Sequence, residues 1–156
     1  MIRPTVPGDT PELLAIARGT DVFKPPELVA LREVLDDYHA REHAHGHRSI
    51  TFEQDGRPIG FAYYAPADLT DRTWHLWWIA VSKQIQAKGV GSRLLRHVED
   101  DVRTAGGRLL VIETSSLPAY ELTRRFYRKQ GYAPPVVLRD FYADGDDICF
   151  FLKRLV

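Results

Sequence analysis

Apolar and polar residues change their spacing several times along this chain, and each change marks an element. Ile2 to Thr5 reads as a short strand. Asp9-Thr10-Pro11-Glu12 has the form of a helix start: Asp9 as cap, Pro11 in the first turn, Glu12 reaching back. Leu13, Leu14 and Ile16 supply its apolar face. Pro25-Pro26 opens a second helix, with Leu28, Leu31, Leu35 and Tyr38 on one stripe, fraying into a His-rich segment that ends near His47. Ser49 to Glu53 and Ile59 to Ala65 read as strands, with Asp55-Gly56 as the hairpin turn between them. Trp74 to Ser82 is a long strand, apolar enough to be buried on both faces. Leu94, Leu95, Val98 and Val102 mark a third helix, stopped by Gly106-Gly107. Arg108 to Thr114 is a strand, and Pro118 to Gln130 a helix with Leu122 and Phe126 inward and Gly131 as its stop. Val136 to Tyr142 and Ile148 to Leu155 close as a hairpin around Ala143-Asp144-Gly145-Asp146. The order β-α-α-β-β-β-α-β-α-β-β predicts an α+β fold layered α/β/α. Its sheet is mixed but mostly antiparallel, with about seven strands and about four helices. The one strand-helix-strand crossover, at the glycine turn after Trp74 to Ser82, implies a locally parallel pair.

With 156 residues the chain suffices for one domain, spanning 1–156, and falls short of two ordinary ones. Twenty-one basic residues balance 21 acidic ones, which leaves no electrostatic footprint for nucleic acid. No apolar run approaches a bilayer's thickness, so no membrane association is expected. No secretory leader is apparent at Met1-Ile2-Arg3-Pro4, and the single cysteine, Cys149, fits a cytoplasmic protein.

The chemistry concentrates at Gln86-Ala87-Lys88-Gly89-Val90-Gly91, between the apolar run Leu76 to Val81 and the helix beginning at Ser92. Strand, glycine turn and helix in that order aim backbone N–H groups at one spot, where the helix dipole is positive. Such a spot takes an anion, commonly a phosphate. Gly89 and Gly91 can adopt backbone angles other residues avoid and admit a ligand close to the main chain. The turn carries neither G-x-x-x-x-G-K-[ST] nor G-x-G-x-x-G, so a short cradle for a pyrophosphate is the better fit, with an ordinary tight turn as the alternative.

Gln-x-x-Gly-x-Gly after a strand ending Ile-Ala-Val resembles the acetyl-coenzyme A loop of the GNAT acetyltransferase superfamily. Arg125-Phe126-Tyr127-Arg128-Lys129-Gln130-Gly131-Tyr132 resembles that family's fourth-helix signature, and Ile2-Arg3-Pro4-Thr5 its beginning. The resemblance spans essentially the whole chain. It implies the GNAT fold, splayed between strands 4 and 5, and an N-acetyltransferase moving acetyl from acetyl-CoA to a primary amine by direct attack in a ternary complex. Main-chain amides of Gln86, Ala87, Lys88, Gly89, Val90 and Gly91, with Ser92, would bind the pyrophosphate. Ile79, Ala80 and Val81 would pair with the pantetheine arm, and Tyr120, Thr123, Phe126 and Tyr127 would complete the coenzyme site. Tyr120 and Thr123 stand where many members carry Asn and Ala, which leaves that contact to the arm open.

Tyr127 falls where many members place the general acid for the departing thiolate; its alternative is a half-buried core aromatic. His75 and Glu113 are the two candidate bases, with a surface imidazole and an ion pair to a neighbouring Arg as their bland readings. His39, His43, His45 and His47 invite a metal, but no second shell accompanies them and no metal is expected. Asp140, Asp144, Asp146 and Asp147 form an acidic hairpin tip, either a solvated turn or an attractor for a cationic amine. Trp74 and Trp78 should share one face of their strand and Trp77 the other. The acceptor stays open among small amines, amino acids, antibiotics and protein N-termini, with a small-molecule amine as the expected partner and a homodimer as the expected assembly. The rival from another class is a non-catalytic acyl-CoA-binding regulatory or sensor module.

Overall fold

A computed structural model describes residues 1–85 and 89–156. Seven strands, the number the sequence predicts, form one sheet in the order β1-β2-β3-β4-β5-β7-β6. They are β1 (Ile2–Pro4), β2 (Arg48–Gln54), β3 (Arg57–Pro66), β4 (Thr73–Val81), β5 (Leu109–Ser115), β6 (Val136–Ala143) and β7 (Asp146–Arg154). The α-helices are α1 (Thr10–Gly19), α2 (Pro25–Ala40), α3 (Val90–Thr104) and α4 (Glu121–Lys129). The chain divides into two compact units, Met1–Ala65 with Trp77–Asp100, and Pro66–Leu76 with Asp101–Val156.

In the first unit β1, β2 and β3 run antiparallel, from Ile2 opposite Phe52 and Arg48 opposite Tyr64. Asp55 (φ 53°) and Gly56 (φ 76°) are both left-handed, the backbone that a two-residue hairpin with right-twisted strands needs. Leu13, Leu31, Leu35 and Phe61 are fully buried and form the core with Tyr63 and Ala80. Asp9 does not cap α1 as expected; no side-chain cap bond forms there. Its carboxylate instead takes both arms of the Arg3 guanidinium at 2.7 and 2.9 Å and accepts the Val6 amide at 2.9 Å and the Thr51 hydroxyl at 3.3 Å. A buried carboxylate gains more from a bidentate guanidinium than from one orphan amide. Burial opposes its charge, but these hydrogen bonds and the Arg3 charge hold the carboxyl below the ordinary aspartate range.

In the second unit β4 and β5 run parallel, from Thr73 opposite Leu109 to Leu76 opposite Ile112. The crossover inference from the glycine turn is therefore correct. β5 pairs antiparallel with β7 along the whole of β5, Leu109 with Arg154 to Ser115 with Ile148. Gly107 is required by space: a Cβ there would stand 2.2 Å from Val102 Cγ1 and 2.9 Å from Trp74 Cδ1. One inward assignment fails. Leu122 is 76% exposed, and the buried side chains of α4 are Arg124 and Tyr127. Trp74 lies beside Gly107, and Trp78 packs on Phe23 near α1 and α2.

Candidate active site

The strand-turn-helix begins with β4 tied to β3, where the Ser82 amide donates to the Ile59 carbonyl at 2.8 Å. Gln86, Ala87 and Lys88 lie outside the described residues. Gly89 follows with φ +73°, a left-handed backbone with open space beside its Cα. The helix starts two residues earlier than expected, at Val90, so Gly91 and Ser92 belong to its first turn. Only Gly89 therefore uses the unusual angle. The Arg93 amide donates to the Gly89 carbonyl at 3.1 Å, closing the first helical ring. A helix leaves its first N–H groups without partners of its own, with the positive dipole end behind them. No acidic side chain occupies that turn to compensate.

Gly60 seats the helix start, and sequence reasoning passed over it. A Cβ at Gly60 would come within 3.0 Å of Leu94 Cδ1, 3.2 Å of the Ala80 carbonyl and 3.4 Å of Val90 Cγ1. A bare α-carbon on β3 lets α3 and β4 close on it. Ala80 is buried, whereas Ile79 and Val81 are half-buried.

Tyr127 is buried at 3% exposure, its ring against Phe126, Tyr132 and Phe151 at 5.5, 6.0 and 5.5 Å between centroids. Burial raises its phenol pKa above the usual tyrosine value, so the group remains a proton donor at neutral pH. Arg124, three residues earlier on the same helical face, is buried too. Its guanidinium donates to the carbonyls of Ser115 (2.7 Å) and Leu117 (2.9 Å) and to Glu121 (2.9 Å). It pins the start of α4 to the end of β5 and so fixes where Tyr127 stands. The only sequence signal was its spacing of three from Tyr127; buried arginines are otherwise rare. Tyr120, Thr123 and Phe126 are half-buried around the same helix.

His75 and Glu113 do come together, Nδ1 to Oε1 at 3.9 Å, on the paired strands β4 and β5. That is an ion-pairing distance and too long for a direct hydrogen bond. Their side chains are 26% and 41% exposed, although the His75 Nδ1 atom that faces Glu113 is itself buried.

His45 and His47 build a second polar cluster. His47 Nδ1 is 2.6 Å from the Tyr63 hydroxyl, and its Nε2 lies 3.5 Å from Glu42, which also stands 3.5 Å from His45. Trp77, 47% exposed, stacks on Tyr63, and the His47 ring meets it edge-on. Among the described residues no group of three or more His, Cys, Asp or Glu is arranged to hold a metal. The acidic hairpin is structural. Asp146 is buried and bonded to Ser115, Asp147 accepts the Asp140 amide, and Asp140 accepts the Gly145 amide. Those carboxylates hold a bulged turn, which argues against a free acidic lure. No helix among the described residues is long and apolar enough to cross a membrane.

A family model described as the acetyltransferase (GNAT) family matches residues 16–132. The chain belongs to the GNAT acetyltransferase family. A GNAT-family chain from Desulfovibrio desulfuricans is 34% identical, with a TM-score of 0.95 over 100% of this chain and 99% of that one. An N-alpha-acetyltransferase of Sulfurisphaera tokodaii is 30% identical over 84% of this chain and 86% of its own. An uncharacterized N-acetyltransferase of Methanocaldococcus jannaschii is 29% identical over 65% of this chain, and the match spans 63% of that relative's length. A Salmonella typhimurium structure solved with acetyl-CoA shares the GNAT fold at 18% identity, TM-score 0.74, covering 100% of this chain and 94% of that one.

Proposed function

We propose that this GNAT chain is an acetyl-CoA-dependent N-acetyltransferase acting on a primary amine. The observation that carries the reading is the left-handed Gly89 opening α3 directly after β4 and its turn, with open space beside it. In this reading the amides from Gln86 to Gly91 and Ser92 hold the coenzyme's pyrophosphate by backbone hydrogen bonds and helix dipole. Ile79 to Val81 align the pantetheine arm, and an amide near Val81 donates to the thioester oxygen as it gathers charge.

The amine nitrogen then attacks the thioester carbon, and the C–S bond breaks. The thiolate takes a proton from Tyr127, whose buried phenol is kept protonated, and the proton that the attacking nitrogen gives up on becoming an amide restores the phenol through water. The attacking ammonium has already lost one proton, to the His75–Glu113 pair or through water. No covalent enzyme intermediate is required, because the thioester is activated and the protein supplies proximity. The reading includes a homodimer contact on β6, whose Val136, Leu138 and Phe141 are 59%, 52% and 55% exposed on the sheet's outer strand. Release of coenzyme A thiol over a panel of amines tests the enzyme assignment. Turnover with any primary amine supports it; saturable acetyl-CoA binding with no turnover on any would replace it with a coenzyme-binding sensor.

A further inference from the structure

The turn that leads from β5 into α4, Ser115-Ser116-Leu117-Pro118, is held from two sides by buried charged side chains. From α4, Arg124 donates to the Ser115 carbonyl at 2.7 Å and to the Leu117 carbonyl at 2.9 Å. From the start of β7, the buried Asp146 carboxylate meets the Ser115 hydroxyl. The Leu117 amide donates to that same hydroxyl oxygen at 3.0 Å, so the hydroxyl's own hydrogen is left for Asp146. Asp147 completes the seam: its carbonyl accepts the Ser116 amide at 3.0 Å, and its amide donates to the Ser116 hydroxyl at 2.8 Å. Ser115 is thus touched by both buried charges, by Asp146 through its side chain and by Arg124 through its backbone.

β7 reaches the far end of the same helix as well. Lys153 Nζ donates to the Gln130 carbonyl just past α4 at 3.0 Å and stands 5.3 Å over the Tyr132 ring. Between these two anchors, Phe151 of β7 lies 5.5 Å from the Tyr127 ring. The rings around Tyr127 bury it without a preferred direction, whereas the hydrogen bonds at the helix ends are directional. The ends therefore fix where along β7 the phenol stands.

We propose that Asp146 is a positioning residue for the acid: through the Ser115 hydroxyl it fixes the turn that Arg124 grips, and so the place of the Tyr127 phenol. A buried carboxylate held by one hydroxyl adds little to stability for what its burial costs, and placement accounts for its presence better. A misplacement of about 1 Å is enough to lower a rate roughly a hundredfold. The proposal rests on the acetyltransferase reading for what the phenol does, while the placement of the ring stands apart from it.

The test compares Asp146→Ala, Asp146→Asn and Ser115→Ala, each in wild type and in Tyr127→Phe. Asparagine keeps an oxygen that accepts from Ser115, and alanine does not. Asp146→Ala should lower kcat roughly ten- to a hundredfold. The KM for acetyl-CoA should stay within about twofold, because the pyrophosphate is assigned to the amides around Gly89. Asp146→Asn should restore most of the rate. In the Tyr127→Phe background neither change should lower kcat further, since a residue that acts through the phenol has nothing left to place. Ser115→Ala removes a single oxygen and should repeat the result, which keeps the test intact if Asp146→Ala does not fold. A second readout needs no substrate: the aromatic NMR signals of labelled Tyr127 should shift in Asp146→Ala and Ser115→Ala and return toward wild type in Asp146→Asn. Such shifts without turnover on any amine would remove the acetyltransferase reading and support the placement. Losses that add in full to that of Tyr127→Phe, or a Tyr127 ring signal unmoved in Asp146→Ala and Ser115→Ala, overturn the proposal and leave the acetyltransferase assignment standing.

Discussion

Replacing Tyr127 with Phe isolates one oxygen atom. The ring's neighbours are the rings of Phe126, Tyr132 and Phe151, and all three contacts survive the change. Stability should thus move by no more than about 1 kcal/mol, the net worth of one hydroxyl's hydrogen bonding. Coenzyme affinity should hold, because the pyrophosphate is assigned to backbone amides around Gly89. Turnover should not hold. A positioned general acid contributes roughly 10² to 10⁴ in rate, or about 3–5 kcal/mol of barrier. The phenol also predicts a feature of the pH profile. Burial raises its pKa, so its ionisation should cut no alkaline limb into the rate at or below the ordinary tyrosine value of about 10. The assay is initial rates of thiol release at saturating acetyl-CoA, beside calorimetric titration of coenzyme A on the same protein. A variant whose turnover stays within about twofold of wild type at unchanged affinity refutes the acid role, and Tyr127 is then core packing.

Other substitutions probe the frame. Gly107→Ala should destabilise by about 1–3 kcal/mol in a chemical denaturation curve, because its methyl must displace Val102 or Trp74. Gly89→Ala meets no atoms, so its effect is backbone strain alone, about 1–2 kcal/mol, read as weaker coenzyme binding by calorimetry. Asp9→Asn should flatten the acid limb of the stability curve. The folded Asp9 carboxyl has its pKa lowered, so the unfolded chain takes up the proton first; the stabilisation is whole above about pH 4 and is lost as pH falls further. A melting-temperature series from pH 7 to pH 3 checks this. Leu138→Lys should sediment as a monomer if β6 is the dimer contact, and an unchanged dimer would exclude that strand.

The sequence was most readable where one residue type answers one geometric need. Asp55-Gly56 announced its turn because both positions take left-handed angles. The two proline-led helix starts and the crossover at the glycine turn were legible for the same kind of reason. Sequence reading failed where tertiary partners outbid local ones. Asp9 had the look of a cap, yet Arg3 and Thr51 claim its oxygens. Leu122 had the hydrophobicity of a core residue, yet α4 turns Arg124 inward because the carbonyls of Ser115 and Leu117 need donors. Gly60 gave no signal, since a glycine inside a strand pattern does not say which helix will press on it.

The most direct measurement is an amide NMR titration of the labelled chain with acetyl-CoA. Saturable shifts concentrated at Gly89 to Ser92, with a second group at Ile79 to Val81, are the expected result. Saturation with those amides unmoved, or no binding at millimolar donor, would contradict the account.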